Sequence, residues 1–221
     1  MLNRDAIRSG AFLESFNFLP PGMLWTQSQI DQSLAQTMAR RPAGEDVWIF
    51  AYGSLMWNPL SCYDRREIAT LQGWHRSFCI RLLAGRGTPQ RPGRMLALEP
   101  GGCTQGVALR LATTTLDEEL RILWTREMLT GAYTPTWTTV TLATGETQHA
   151  LAFVASNCER QYEADSHPAK IARLIAHAQG PLGTNAEYVF RLRQALADCA
   201  LSDPYIEDVA HALAGLETKP L

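Results

Sequence analysis

The 221 residues are 46% hydrophobic and 19% charged, which is enough apolar material for a substantial core in one large domain or two small ones. The formal net charge of −2 argues against a protein that coats nucleic acid or lies on an acidic membrane surface. No apolar run approaches the roughly 18 residues that span a bilayer, and the N-terminus has no continuous apolar segment of the secretory type. We therefore predict a cytoplasmic protein that binds neither nucleic acid nor membranes.

The cysteines and histidines do not indicate a metal site. The five cysteines form an odd, scattered set without a CxxC pair, which is typical of reduced and mostly buried thiols in the cytosol. The histidines are equally dispersed, and no His/Cys group has the spacing of metal ligands. The sequence thus predicts no metal. The cysteines are Cys62, Cys79, Cys103, Cys158 and Cys199.

Residues 1–46 are predicted to form an N-terminal extension of the main domain, which covers residues 47–215. A Phe-rich stretch at residues 12–19 precedes a Pro-Pro-Gly break, and one helix is expected at residues 27–40, ended by Pro42 and Gly44. We expect the Phe cluster to hold this arm against the main domain. Binding of a partner by the same cluster is the alternative.

A compact apolar run at residues 47–52 predicts a buried strand that ends abruptly at Gly53 and Ser54. A strand that opens into a glycine-containing loop can present several backbone N–H groups to one anion, and a carboxylate would fit such a loop. An ordinary strand-end turn is the alternative interpretation.

The segment of residues 68–98 contains no acidic residue and is rich in arginine. We predict a strand at residues 71–83 and a loop at residues 84–94. Because a planar guanidinium suits bidentate recognition of carboxylates, this bias indicates a small anionic ligand, although arginines of a solvated loop could also pair with acids elsewhere. The arginines are Arg76, Arg81, Arg86, Arg91 and Arg94.

The remaining pattern predicts an α+β domain with a mostly antiparallel or barrel-like sheet, because strands come first and helices come mostly last. Strands are expected at residues 95–99, 102–111, 136–143 and 148–154, with Pro-Gly-Gly forming a turn between the first two. Helices are expected at residues 167–178, 184–200 and 203–213.

One further helix is predicted within residues 115–133, and it carries the main candidate for catalysis. Thr115 and Glu118 have the spacing of a capping box, and Gly131 is a natural stop. At about 100° per residue, Glu127 falls near the middle of the apolar face, whereas Glu119 falls on or beyond its border. A carboxylate on a buried face has a raised pKa, which suits proton transfer near neutral pH. Pairing with a buried arginine or capping of a backbone group is the alternative for Glu127.

The chain resembles the ChaC-type gamma-glutamylcyclotransferases over roughly residues 47–213. The matching segments occur in family order and end with Gly180-Pro181-Leu182-Gly183-Thr184-Asn185-Ala186-Glu187-Tyr188. The earlier ones are Tyr52-Gly53-Ser54-Leu55-Met56-Trp57-Asn58-Pro59, Gly73-Trp74-His75-Arg76, Pro92-Gly93-Arg94, Gly102-Cys103-Thr104-Gln105-Gly106-Val107, Trp124-Thr125-Arg126-Glu127 and Gly131-Ala132-Tyr133.

The resemblance implies a small mixed β-barrel surrounded by helices and a lyase activity without a metal or an organic cofactor. It implies cleavage of glutathione into 5-oxoproline and cysteinylglycine. In this interpretation Glu127 is the general acid/base, and the loop of Tyr52, Gly53, Ser54 and Leu55 holds the glutamyl end of the substrate. We further expect a substrate contact from Tyr133 and binding of the glycine-end carboxylate by Arg76 and Arg94.

Two alternatives to glutathione cleavage stay open on the sequence alone. The first is the same chemistry on another gamma-glutamyl dipeptide or amine. The second is a non-enzymatic cation-transport regulator, for which the Phe-rich arm would be the binding element. We expect a monomer or a weak homodimer.

Overall fold

The computed structural model describes residues 2–42, 46–156 and 160–217, so the predicted helix stop at Gly44 and the thiol of Cys158 lie outside the described residues. Five strands close a barrel in the order β1-β3-β2-β4-β5, which confirms the predicted α+β barrel fold. Their bounds are Trp48–Ala51 (β1), Tyr63–Leu82 (β2), Gly93–Leu111 (β3), Tyr133–Leu142 (β4) and Thr147–Ala155 (β5).

Helices surround this barrel in the described part of the chain. They are Arg4–Arg8 (α1), Ala11–Glu14 (α2), Gln27–Met38 (α3), Leu116–Glu127 (α4), Pro168–Ile175 (α5), Asn185–Ala197 (α6) and Pro204–Glu217 (α7). A two-stranded ribbon, Gln179–Gly180 (β6) with Gly183–Thr184 (β7), leads into α6. No helix in the described ranges is both long enough and apolar enough to cross a membrane.

The barrel closes at β1, which pairs antiparallel with β3 and parallel with β5. All four residues of β1 are buried, as a strand must be when it has the barrel interior on one side and helices on the other. The expected hairpin of β4 and β5 is confirmed, with antiparallel pairing from Tyr133 with Ala155 to Thr141 with Thr147. The sequence signal was clear here because polar and apolar residues largely alternate along β4, β5 is a short apolar run, and Thr144-Gly145-Glu146 separates them.

One strand prediction was wrong, because β3 continues through the Pro-Gly-Gly segment that was expected to form a turn. β2 pairs with β3 on both sides of this segment, and the register shifts between Gln72 and Trp74. Gly101 and Gly102 have φ values of 107° and 71°, a conformation that glycine adopts readily, so the irregularity is absorbed without ending the strand. Cys103 follows them and is exposed.

The thiols are less buried than the sequence indicated. Among the described cysteines only Cys79 is buried, whereas Cys62 and Cys103 are exposed and Cys199 is half-buried. None of these four forms a disulfide.

Helix α4 begins and ends differently from the prediction. The side chain of Thr115 makes no capping hydrogen bond, because residues 113–115 form a 3-10 turn ahead of the helix. The predicted partner of the cap, Glu118, instead accepts hydrogen bonds from Arg8. The helix ends at Glu127, before Gly131, so Glu127 lies at its C-terminus instead of inside a continuous helical face.

The N-terminal residues form a second apolar cluster against the barrel and α4. Ile7, Phe12, Phe16 and Leu19 are buried, and their neighbours across the contact include Ile122 and Ala84. We call residues 2–19 the arm. Its two helices are short, so the arm depends on this packing for its conformation.

A buried ion pair also fixes the arm. Arg4 donates two hydrogen bonds to Glu119, at 2.6 and 2.8 Å, and a third to the carbonyl of Leu60. The Glu119 carboxylate is fully buried and also accepts the N–H of Cys62 at 2.8 Å. Glu119 was predicted on or beyond the border of the apolar face of α4, and this prediction was wrong, because the carboxylate is buried. Its burial could not be inferred locally, since Arg4, the residue that pairs with it, lies far away in the sequence.

We predict that Glu119→Gln lowers the free energy of unfolding by about 2–4 kcal/mol, because it removes the buried carboxylate that pairs with Arg4 and leaves Arg4 only its longer, 3.6 Å contact with Glu118. Urea denaturation of the purified variant would measure this. The control is Glu118→Gln on the same helix, whose half-exposed contacts with Arg8 and Arg4 should together cost less than about 1 kcal/mol. Equal losses in the two variants would contradict the anchoring role of Glu119.

Candidate active site

A loop leaves the end of β1 and folds into a 3-10 turn at Ser54–Met56. Tyr52 begins this loop and donates its phenol proton to the carbonyl of Phe153 in β5. A Cβ at Gly53 would lie 2.7 Å from the hydroxyl oxygen of Tyr188, so only glycine allows α6 to approach the loop this closely. Leu55 is buried and completes the turn.

Glu127 faces this loop from the end of α4. Its side chain is only 13% exposed, and burial raises its pKa above the usual value of 4.5. The Arg126 guanidinium lowers that pKa, with Nε 2.9 Å from Oε1, but burial is the larger effect. Oε1 has no partner in hydrogen-bond geometry among the described atoms, since the Arg126 contact is close but misaligned. This buried oxygen is therefore left without a well-aligned hydrogen-bond donor among the described residues.

Arg126 ties the catalytic candidate to the loop. Its Nη2 donates to the Ser54 hydroxyl oxygen at 2.7 Å, and its Nη1 donates to the carbonyl of Asn58. Because the guanidinium is planar and rigid, these bonds fix the distance between the C-terminus of α4 and the loop. The two neighbouring residues thus have separate roles. Arg126 positions the loop, and Glu127 supplies the carboxylate of the site.

Three tyrosines surround Glu127. Burial raises the pKa values of Tyr52 and Tyr133 well above 10.0 and that of Tyr188 to about 12, and the nearby Glu127 carboxylate adds to each shift. All three phenols are therefore neutral at physiological pH. Tyr133 donates to the carbonyl of Leu96 at 2.8 Å, whereas Tyr188 accepts a hydrogen bond from the backbone N–H of Ser54.

These groups line a narrow recess that opens into a larger cavity. The recess has a volume of about 20 Å³ and contains the loop of Tyr52–Leu55 together with Glu127. The cavity has a volume of about 590 Å³, which is in the range of small-molecule sites, and the two share Ser54, Glu127, Tyr133 and Tyr188.

The larger cavity has a cationic lining. Glu127 is the one carboxylate among the described residues that line it, and the other charged residues there are arginines. Such a lining attracts anionic ligands and offers bidentate contacts to carboxylates. The arginines are Arg86, Arg94, Arg126 and Arg191.

Arg94 has the features of a ligand-binding arginine. It is buried, its Nη2 is paired with Glu163, and its Nε has no hydrogen-bond partner among the described residues. Its backbone N–H donates to the Asn185 side chain at 2.7 Å. A Cβ at the preceding Gly93 would lie 2.2 Å from that same Asn185 oxygen, which explains the glycine there.

Arg76 lies elsewhere and is already fully engaged. Its guanidinium pairs with Asp203 at 2.8 Å and donates to the backbone carbonyls of Tyr52 and Gln105 at 2.8 and 2.6 Å. It does not line the described cavity. The expectation that Arg76 binds a substrate carboxylate therefore has no geometric support, and its contact with Tyr52 makes it a support of the loop.

Three residues of this site were missed by sequence reasoning. Tyr188 and Arg126 lie in segments that match the ChaC-type family, but neither was given a role in the site. Arg191 belongs to the cavity lining through a position on α6 that no local pattern reveals. Only the position of Tyr188 at the end of the Gly-Pro-Leu-Gly segment could have indicated a role in the site.

The described residues contain no group of three or more His, Cys, Asp or Glu side chains that could hold a metal ion. What they bring together is a buried carboxylate with a raised pKa, a glycine-containing loop and neutral phenols. This set can bind a small anion and move a proton.

A comparison with known families assigns the chain to one of them. The chain belongs to the ChaC-like protein family, whose model matches residues 47–216. The match includes the loop, α4 and α6, which are the elements that form the recess.

Among curated relatives, the chain is similar to the glutathione-specific gamma-glutamylcyclotransferase of Escherichia coli K12, with 47% identity over 209 residues, covering 95% of this chain and 90% of that protein. It is 31% identical over 203 residues to glutathione-specific gamma-glutamylcyclotransferase 1 of Rattus norvegicus, covering 86% and 90% of the two chains. A solved structure of a glutathione-specific cyclotransferase from yeast matches with a TM-score of 0.72 and 22% identity, covering 78% of this chain and 97% of the yeast chain.

Because burial raises the pKa of Glu127 in the folded state, ionisation of this group opposes folding. The protein therefore has its full stability at pH values below the pKa of Glu127 in the unfolded chain, where this side chain is protonated. It loses part of that stability as the pH rises through the higher pKa of Glu127 in the folded protein. We therefore predict that Glu127→Gln is more stable than the wild type at pH 7 and that this gain disappears near pH 4. Urea denaturation at the two pH values would measure it.

The control for this prediction is Asp117→Asn, which changes an exposed acid at the start of the same helix. It should not reproduce the gain at pH 7. A Glu127→Gln variant that is less stable than the wild type at pH 7 would mean that the Arg126 contact outweighs burial.

Proposed function

We propose that this protein is a gamma-glutamylcyclotransferase that cleaves glutathione into 5-oxoproline and cysteinylglycine. The observation that carries the proposal is the buried Glu127, which faces a glycine-containing loop inside a cavity lined by arginines. The activity in the names of the Escherichia coli and rat relatives supports the same reaction.

The glutamyl end of the substrate binds in the larger cavity where it meets the recess, because the recess itself has room for little more than one water-sized group. Backbone N–H groups of Gly53 and Leu55 hold its alpha-carboxylate, while Arg126 keeps the loop in place through Ser54. Tyr52 and Tyr133 shape the walls, because their hydroxyl protons are already donated to carbonyls of the barrel. Folding the glutamyl chain in this way brings its amine next to its own gamma-carbonyl.

Glu127 moves the proton that the reaction needs. Its carboxylate takes one proton from the substrate's alpha-ammonium, and the resulting amine attacks the gamma-carbonyl carbon and forms the new C–N bond of the ring. The protonated Glu127 then gives its proton to the cysteinyl nitrogen as the old C–N bond breaks. The ring nitrogen still carries a second proton of the former ammonium group, which the ionised Glu127 removes and passes to the released amine, so that cysteinylglycine leaves as an ammonium ion. A carboxyl with a raised pKa suits these steps, because its carboxylate is a stronger base than an exposed one and its acid form can still give up the proton.

Tyr188 stabilises the negative charge that develops on the gamma-carbonyl oxygen. Its oxygen accepts the Ser54 N–H, so its own proton can be donated to the substrate. Burial keeps this phenol protonated, since its pKa is raised to about 12. A fixed donor of this kind typically contributes a rate factor of about 10²–10³.

The glycine end of the substrate lies in the larger cavity, where Arg94 in the lining binds its carboxylate. Arg86 and Arg191 add positive charge nearby, although both also pair with Glu187. A gamma-glutamyl amine has no carboxylate for these arginines. The charge of the cavity therefore favours a tripeptide over an amine as the substrate.

We also infer a cytoplasmic enzyme that acts as a monomer or a weak homodimer, from the charge of the chain and the scattered thiols. A purely regulatory protein would have no use for an ionisable carboxylate inside a cavity of this size.

The direct test is incubation of the purified protein with reduced glutathione and detection of 5-oxoproline and cysteinylglycine by mass spectrometry. We predict product from the wild type and a loss of kcat of roughly 10²–10⁴-fold in Glu127→Gln, because the amide has nearly the same shape but cannot carry the proton.

The matched control is Glu118→Gln, a change of the same kind on an exposed position of α4, which should keep full activity. Retention of most activity by Glu127→Gln would contradict its role in proton transfer. Product from gamma-glutamyl amines but none from glutathione would assign the protein to a different gamma-glutamyl substrate.

A further inference from the structure

The arm forms one wall of the substrate cavity. Leu2, Phe12 and Phe16 line the cavity, which also contains Glu127 and Tyr188. The arm therefore does more than cover the apolar surface of the barrel. It supplies a continuous apolar surface opposite the arginines.

The two phenylalanine rings form a rigid unit. The centroids of Phe12 and Phe16 are 5.1 Å apart, and the rings meet edge to face at 75°. Both belong to the apolar cluster that includes Ala84 and Leu129, and Leu129 follows closely after Glu127 in the chain. The wall thus lies next to the segment that carries the catalytic carboxylate.

The same helix that carries Glu127 also holds the arm. Arg4 pairs with the buried Glu119 of α4, and the two arm helices are too short to be stable without such contacts. The position of the wall relative to Glu127 is therefore set by α4 itself.

The arm lies outside the part of the chain that the family model matches, which starts at residue 47. The recess comes from the family fold, whereas this wall of the larger cavity comes from residues before it. The two parts of the site can thus have different functions, with catalysis at the recess and selection of the substrate at the wall formed by the arm.

We propose that the arm determines specificity, in that Phe12 and Phe16 limit the size of the side chain that follows the gamma-glutamyl unit of the substrate. This inference rests on the proposed function. With the glutamyl end held next to Glu127, the next residue of the substrate lies in the same cavity, which Phe12 and Phe16 also line. On this proposal the rings leave room for a cysteine-sized side chain and disfavour a leucine-sized one.

The test compares glutathione with the analogue that has leucine in place of cysteine, and it measures kcat/KM for 5-oxoproline formation. In Phe16→Ala the kcat/KM for the analogue divided by the kcat/KM for glutathione should rise about tenfold or more, because hydrophobic pockets discriminate between side chains of different size to about this extent. Phe18→Ala is the matched control, since Phe18 is in the same arm, is 50% exposed and does not line the cavity, and its ring has only a tilted, 6.4 Å contact with that of Phe16.

The ratio in Phe18→Ala should equal that of the wild type. An unchanged ratio in a folded Phe16→Ala variant would overturn the proposal. If alanine prevents folding, Phe12→Leu and Phe16→Leu keep most of the apolar volume and should still raise the ratio.

A binding measurement separates this inference from the proposed function. Calorimetry in the Glu127→Gln background gives the ratio of the dissociation constants of the two tripeptides, and Phe16→Ala should shift this ratio in favour of the leucine analogue. Absence of 5-oxoproline from every gamma-glutamyl compound would refute the proposed function alone. An unchanged binding ratio would refute the role of the arm, whatever the activity.

Discussion

The contact between Arg126 and Glu127 at the end of α4 is the constraint on which the site depends. Burial raises the pKa of the carboxyl, and the adjacent guanidinium lowers it by a smaller amount. The same guanidinium holds Ser54 and the carbonyl of Asn58, so the loop cannot move away from the carboxylate. These two neighbouring residues therefore influence both the pKa of the Glu127 carboxyl and the distance between that carboxyl and the loop.

The barrel gives this pair a rigid surrounding. Tyr52 is held by β5 at its hydroxyl and by Arg76 at its carbonyl, and Arg76 is itself held by Asp203 near the start of α7. The loop is thus supported from behind by a buried ion pair that never meets the ligand. A charge buried this deeply is stable only with such partners, so the C-terminal helix contributes to the site although it lies outside the cavity.

The sequence predicted what local periodicity and motifs determine. The class of fold, the hairpin of β4 and β5 and the burial of Glu127 all follow from patterns of period two or 3.6. What it missed depends on distant partners: Glu119 is buried because Arg4 reaches it, and Arg76 is a support because Asp203 accepts its charge. Tyr188 joins the site only because Gly53 lets α6 approach the loop. No window of neighbouring residues contains such information.

The most direct test of this account is the pH dependence of kcat/KM for glutathione cleavage, which reports the ionisation of the free enzyme. The account predicts an acid limb with an apparent pKa above 4.5, because burial raises the pKa of Glu127 and the carboxylate must be ionised to accept the ammonium proton. It also predicts that this limb is absent from the residual activity of Glu127→Gln. An acid limb at or below 4.5, or the same limb in the variant, would contradict the assignment of Glu127 as the proton carrier.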